Sequence, residues 1–534
     1  MIVLIISEEY DRICSEDVYF IGNEGGKMRK TIIALLTAVI LSSFMLSSCG
    51  KTNETHDFSI PEYTADEIVI PDEKVYDDRT TELVRKKYAG YDYDGGDISI
   101  ICPSQGSLYY GYISDEANEI WYEEDSAEVQ QHSVFTRNVL TEDFLNVKIK
   151  PTWGGDVYDL YDRAKIIAMS GLDDFDLMLT QYFRGLLSGT MGYFRNIYDI
   201  ALLDLDAYWW DQGFIDNYTF EHNKLFGVTG DAVILDDLAF KVMFYNSAMI
   251  ENYGLDDPTV LVENGTWTLD AMVDMAAAVT SDTDGNSIMD SNDTWGILDN
   301  DGVLIINLFD GCGVHIADKD ENDVPYLATE NEVFVNTVQY IFEHVQRSGY
   351  VCTGKEGDNV DILKDDRGLF MEGSLCMLFD LRDMESDFGL LPLPKLNLEQ
   401  KNYSSVIGPG ILTAFSVPVT VVDTEKVGVF LNVYGGFSTD TVDRTLNEVI
   451  LGAKLIRNKR TVDMLNYALD SKFYDWAKDV KWAYPVYQAM TDQGRAETFF
   501  FVSRIKSEAR MMKSMLKMLL KGYSFYQEGY RVDN

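Results

Sequence analysis

Apolar positions follow three regimes along this chain. In the first, residues 28–49 read MRKTIIALLTAVILSSFMLSSC, with a cationic head at Arg29 and Lys30 and a charge-free run from Thr31 to Leu46 before Cys49. The run falls short of the roughly 20 apolar residues that span a bilayer. Cationic head, apolar run and small residues, in that order, are the pattern of a secretory signal peptide. In the second regime, from Gly50 to about residue 90, the chain is polar and acidic, broken by Pro61 and Pro71, with no sustained apolar period. It predicts a flexible tether over 49–90. In the third, from Tyr91 onward, short apolar runs alternate with helical periodicity. Strands are expected at 97–102, 147–150 and 175–179, with helices at 126–144 (Val129, Val134, Phe135, Val139, Leu140) and 157–169 between them. Strand, helix, strand, helix, strand is the pattern of a mostly parallel α/β sheet covered by helices. Such sheets bind ligands beyond the carboxyl ends of their strands.

The same regime continues to the end of the chain. Residues 265–270 read as a helix start, with Thr266 or Thr268 as N-cap, followed by a helix at 271–280. An amphipathic helix is expected at 331–347 through Phe334, Val338, Ile341 and Val345. A buried strand is expected at 374–379, an extended run at 390–394, a strand at 411–418 and a helix at 425–434. A basic segment, 504–521, carries Met511, Met512, Met515, Leu516 and Leu519 and reads as a packed terminal helix rather than a membrane-surface one.

Composition sharpens this picture. Past the signal, the stretch from Cys49 to Asn534 is still too long for one ordinary core and implies two lobes. The formal charge of −44 repels nucleic acid and anionic lipid headgroups, so no nucleic-acid partner is expected. Cys102, Cys312, Cys352 and Cys376 show no metal-ligand spacing, and five His exclude a Cys/His zinc site by scarcity. There is no GxSxG, HExxH or P-loop motif, and an enzyme is not expected. Leu46-Ser47-Ser48-Cys49 resembles a bacterial lipobox, which implies cleavage before Cys49 and lipidation of its sulfur. Residues 1–27 precede that signal, and Glu24-Gly25-Gly26-Lys27 is what an in-frame ribosome-binding site would encode. They read as a mis-annotated leader, with Met28 as the start and 28–48 as the signal peptide.

Two stretches could carry binding chemistry. Residues 282–293, DTDGNSIMDSND, place Asp282, Asp284, Asn286, Asp290 and Asp293 at near-alternating spacing, and the Ile288 carbonyl could add a further oxygen. Ca2+ takes about six to eight such oxygens. A structural Ca2+ and a metal-free Asp/Asn turn are both open readings, and no other cofactor is required. Aromatic residues make up 13%, including 32 Tyr and 8 Trp, enough to stack on sugar rings beside polar side chains that bind hydroxyls. Trp153, at a strand end, and Trp210, Asp231 and Arg382 are the leading ligand candidates, followed by Asp380 and Tyr403.

The order of several segments resembles extracellular solute-binding protein family 1, the ligand-capturing lipoproteins of ABC importers in Gram-positive bacteria. The resemblance runs through YDYDGGDISII (91–101), HSVFTRNVLTEDFLNVKI (132–149) and LDLDAYWWDQGFIDNYTFEHNKLFGVTGD (203–231). It continues through KVMFYNSAMIENYGLDDP (241–258), GTWTLDAMVDMA (265–276), FMEGSLCMLFD (370–380) and DFGLLPLPKLNLEQKNYSS (387–405). It implies a two-lobed, type II periplasmic-binding-protein-like fold with hinge crossovers. Lobe one would be 91–240 with 405–455, and lobe two 241–404 with 456–534. It further implies a monomer held to the membrane by its lipid anchor, a carbohydrate ligand and importer permease subunits as partners. A surface glycan hydrolase and a ligand-capturing sensor or adhesion lipoprotein are the alternatives.

Overall fold

The computed structural model describes residues 79–104, 119–122, 128–221, 223–329, 331–407, 412–448, 451, 459–479 and 483–529. The leader, signal peptide, Cys49 and the tether up to residue 78 lie outside them. In chain order the strands that frame the fold are β1 (Gly96–Cys102), β2 (Val147–Trp153), β3 (Leu177–Gln181), β4 (Lys241–Asn246), β5 (Trp295–Asn300) and β6 (Val351–Gly354). They continue with β7 (Gly368–Ser374), β8 (Phe388–Leu391), β9 (Ser405–Val406), β10 (Thr413–Ser416) and β11 (Lys472–Phe473). The helices that matter here are α1 (Arg79–Lys87), α2 (Val129–Leu145), α3 (Leu235–Leu238), α4 (Leu269–Val279), α5 (Leu304–Gly311), α6 (Glu332–Tyr340), α7 (Leu378–Leu381), α8 (Thr424–Ser438) and α9 (Phe501–Gly529).

Two sheets result. The first has the order β10-β3-β1-β2, with β1 parallel to β2 and β3, and β10 antiparallel to β3. Ile98, Ile100 and Ile101 of β1 are fully buried, as a strand covered on both faces requires. The second has the order β8-β4-β7-β5-β6, with β5 parallel to β6 and β7, and β4 antiparallel to β7 and β8. Among the described strands, each sheet thus has one member reversed against the rest. In each it is the strand arriving from the other half of the molecule. β10 opens at Thr413 beside Gln181, the last residue of β3, and β4 opens at Lys241 beside Ser374, the last of β7. A strand that crosses from a hinge starts where the parallel strands stop, so it has to run the other way.

The crossing segments lie side by side. Phe240 bridges Ile407, and β9 pairs in parallel with β11 through Ser405–Lys472 and Val406–Phe473. No described helix is long and apolar enough to cross a membrane.

Several elements differ from the sequence pattern. The expected tether already holds a helix over its last part. Thr80, Val84 and Tyr88 recur at every fourth position and are buried, and Arg85 lies 5.2 Å over Phe144 and 5.1 Å over Phe437. Polar composition masked that period. α1 packs on α8, whose residues from Val427 to Ser438 are all buried. A Cβ on Gly436 would sit 2.4 Å from Val84 Cγ2, and one on Gly435 2.6 Å from Trp209 Cδ1, which explains the Gly-Gly pair. The apolar run at 374–379 is a 3-10 turn (Leu375–Met377) leading into α7, and the strand lies just before it, at β7. Short apolar runs do not separate strand from helix by periodicity. Outside the named strands, Val228 bridges Phe415 of β10 and Gly230 bridges Trp210. Of the two candidate caps, Thr268 serves α4, accepting from Ala271 N–H at 3.3 Å.

The terminal helix reaches both halves. Near its start Phe501 stacks on Phe334 of α6 at 6.0 Å, and near its end Tyr523 stacks on Phe220 at 5.2 Å and Phe226 at 6.3 Å. Met512, Met515 and Leu519 are buried between these ends. α9 therefore does not belong to lobe two alone, as its place in the chain suggested.

Candidate functional site

Beside the crossing strands is a pocket of about 270 Å3 lined by Trp210, Asp211, Asp231, Asp236, Asp237 and Lys472, with Tyr208 and Gln212 at its wall. Each group is placed by a local device. Trp210 pairs with Gly230, whose φ of 145° and close approach to Trp209 O (a Cβ would lie at 2.2 Å) exclude a side chain. Trp210 is 1% exposed, and its indole N–H has no hydrogen-bond partner. Asp211 caps the helix that follows, accepting from Phe214 N–H at 2.9 Å. Asp231 accepts from Thr439 Oγ1 at 2.6 Å.

Asp236 and Asp237 sit in α3, a single turn held at its start by Glu119. That carboxylate accepts from Ile234 N–H at 2.6 Å, Leu235 N–H at 2.9 Å and Thr413 Oγ1 at 2.8 Å. Arg137 supports the same corner, donating to Ala232 O at 2.9 Å and Glu119 O at 2.7 Å, with its guanidinium 4.0 Å over the Tyr434 ring.

The electrostatics are dominated by carboxylates. Lys472, on hinge strand β11, reaches Asp211 Oδ2 and Asp237 Oδ1, both at 2.9 Å. Tyr474 donates to Asp211 Oδ2 at 2.6 Å. Burial works against the Lys472 charge, but Asp237, Asp211 and Asp236 outweigh it and hold the amine well above its ordinary value. Burial likewise opposes ionisation of Asp211, yet Lys472 and Tyr474 keep it below the usual carboxylate range. Asp236 is different: burial, then the charge of Asp237, push it well above that range, and Lys472 offsets only part. It is 2% exposed and its Oδ1 has no partner.

Of the candidates read from sequence, the pocket unites Trp210 and Asp231. Trp153 ends β2, the outer strand of its sheet, and is 39% exposed, away from the pocket lining. Asp380 and Arg382 lie on and just after α7, where burial raises Asp380 while Lys364 and Arg382 draw it down. Tyr403 donates to Val262 O at 3.2 Å and carries Lys395 5.2 Å over its ring, a packing role in the second lobe. Asp211, Asp236, Asp237 and Lys472 escaped sequence reasoning. The Asp236-Asp237 pair close behind Asp231 was a usable signal, whereas nothing marks Lys472 in its stretch of chain.

The acidic loop sits at the amino end of β5, opposite the hinge edge. Asp282, Asp284 and Asp293 bring ligand oxygens within 4.8 Å of one another, the one such carboxylate group among the described residues. Asp290 lies outside it and accepts from Asn292 N–H at 2.8 Å, while Asn286 accepts from Ile288 N–H at 2.6 Å. Ser287 adopts φ +67°, the conformation a Gly would supply. Backbone N–H groups of Asp290 and Thr283 hold the Asp293 carboxyl below its usual range. Cys102, Cys312, Cys352 and Cys376 are free thiols.

Two mixed sheets, reversed entering strands and side-by-side crossovers define a type II periplasmic-binding-protein-like fold. Solved structures share it. An extracellular solute-binding protein from Staphylococcus aureus in complex with maltose aligns over 79% of this chain and 98% of its own, at 11% identity and TM-score 0.54. A cyclic α-maltosyl-1,6-maltose binding protein from Arthrobacter globiformis aligns over 79% and 99%, at 13% identity and TM-score 0.52. An ABC substrate-binding protein from Listeria monocytogenes in complex with cycloalternan aligns over 79% and 99%, at 11% identity and TM-score 0.51. No family model and no curated protein sequence matches the chain.

Proposed function

We propose that this protein captures a carbohydrate, an oligosaccharide by analogy with the sugar-bound proteins of similar fold, and delivers it to the permease subunits of an ABC importer. One observation carries the reading: a pocket against the hinge strands that sets Tyr208 beside carboxylates able to accept sugar hydroxyls. The similar folds of sugar-bound proteins support it. Its work is affinity and closure rather than bond chemistry. The protein acts as a monomer on the outer face of the membrane, anchored by lipid on Cys49, a position outside the described residues. Loss of membrane association in Cys49→Ala tests the anchor.

The test of the ligand class is thermal unfolding of the protein against a panel of mono- and oligosaccharides, with product analysis on each hit. A ligand at about 100 times its dissociation constant adds about 2.7 kcal/mol. A stabilising sugar recovered intact supports capture, and a sugar that is consumed assigns the pocket carboxylates to a glycan hydrolase instead. Absence of any sugar effect overturns the ligand class.

The 282–293 loop is further inferred to hold a structural Ca2+ through Asp282, Asp284 and Asp293, bracing the amino end of β5.

A further inference from the structure

We propose that the solute taken by this pocket carries a protonated amine, as an amino sugar does, and that the ammonium group seats against Asp236. The inference rests on the carbohydrate-capture reading and narrows it. Four carboxylates, Asp211, Asp231, Asp236 and Asp237, face a single cation, Lys472, among the residues that line the pocket. Lys472 is committed to Asp211 and Asp237 at 2.9 Å each, and Asp231 accepts from Thr439 Oγ1. Asp236 remains, nine-tenths and more buried, lining the pocket with Oδ1 unpartnered.

A buried carboxylate without a partner is costly, and a ligand that removes that cost gains affinity. A neutral hydroxyl supplies one donor and no charge, whereas an ammonium supplies charge and three donors. The groups acting on Asp236 point the same way: Asp237 and Asp211 beside it and Glu119 behind it all disfavour its charge, and Lys472 alone favours it. A second cation is what this wall lacks.

Calorimetric titration of the whole chain with three β-1,4-linked disaccharides matched in size tests this: the glucosamine dimer, its N,N′-diacetyl form and cellobiose. Glucosamine against glucose and galactosamine against galactose extend the comparison. The expected result is an affinity for the free amine at least about tenfold above its neutral matches. Raising the salt from about 50 to 500 mM should shrink that advantage and leave neutral sugars little changed. In Asp236→Asn the preference should vanish, with ligand-free unfolding confirming that the variant folds. Should it fail to fold, the salt series on the native chain decides. Neutral sugars binding as tightly as the amines, a preference that survives Asp236→Asn, or a preference insensitive to salt overturns the inference and leaves carbohydrate capture standing. Binding of no sugar, amine or neutral, overturns both.

Discussion

Lys478 and Asp310 form an ion pair whose side chains are 2% and 0% exposed. Asp475 lies in the same cluster, 4% exposed, with Oδ2 unpartnered. One lysine, with His315 beside it, therefore faces two carboxyls at the point where the segment after β11 meets α5. Lys478→Met keeps much of the apolar stem and removes the charge. Removing one partner of a buried pair costs about 3–5 kcal/mol, because the other charge is left without compensation. Protonation offers partial relief. Burial already lifts Asp310 and Asp475 above the ordinary carboxylate range, and Lys478 is the main force pulling them down. Without it both rise further.

A carboxyl raised in the fold holds a proton that the unfolded chain releases, so its penalty is small in acid and grows as pH rises through the folded value. Urea unfolding of the native protein, Lys478→Met, Asp310→Asn and the double variant, each at about pH 5 and pH 8, measures this. His315, which faces the same cluster, is common to all four. Lys478→Met should lose about 3–5 kcal/mol at the higher pH and clearly less at the lower. The double variant should regain about half, since only Asp475 then stays uncompensated. A loss below about 1 kcal/mol, a loss independent of pH, or a double variant worse than the single would refute the reasoning.

Gly435→Ala should destabilise by about 1–3 kcal/mol in urea unfolding, because its Cβ would press on Trp209 Cδ1 at 2.6 Å. Glu356 is pushed up to about 7 by burial and by Glu372 and Asp380, so it weakens the fold as pH climbs from about 4.5 through 7. Glu356→Gln should flatten that slope in melting curves taken across the range. Ca2+ should raise the melting temperature, and Asp293→Asn should abolish the rise; melting unmoved by millimolar Ca2+ removes the metal from the loop. Asp236→Asn should erase selectivity for amines.

Elements with a continuous or strongly periodic apolar signal were legible. β1 matched its expected strand to within one residue, and the helix at 425–434 was placed correctly but ends later, at Ser438. The signal failed where composition hid a period, as in α1, or where a run was too short to choose its own geometry, as at 374–379. The pocket was half legible. Trp210 and Asp231 share one stretch of chain with an aromatic and acidic flavour. Trp153 lies at the end of the outer strand and outside this pocket's lining, and order within a sheet is invisible in sequence. Lys472 was beyond reach, since it meets Asp237 from 235 residues away and belongs to the site only through the β9–β11 pairing.

The terminal helix has a consequence for how the molecule comes into being. At 29 residues it is about 43 Å long. Its aromatic ends are fastened to opposite halves, Phe501 on Phe334 and Tyr523 on Phe220. Both sheets are complete in the chain before this helix begins. The halves can therefore fold during synthesis before this helix docks across them. Any opening between the halves has to strain or release one of these two aromatic contacts.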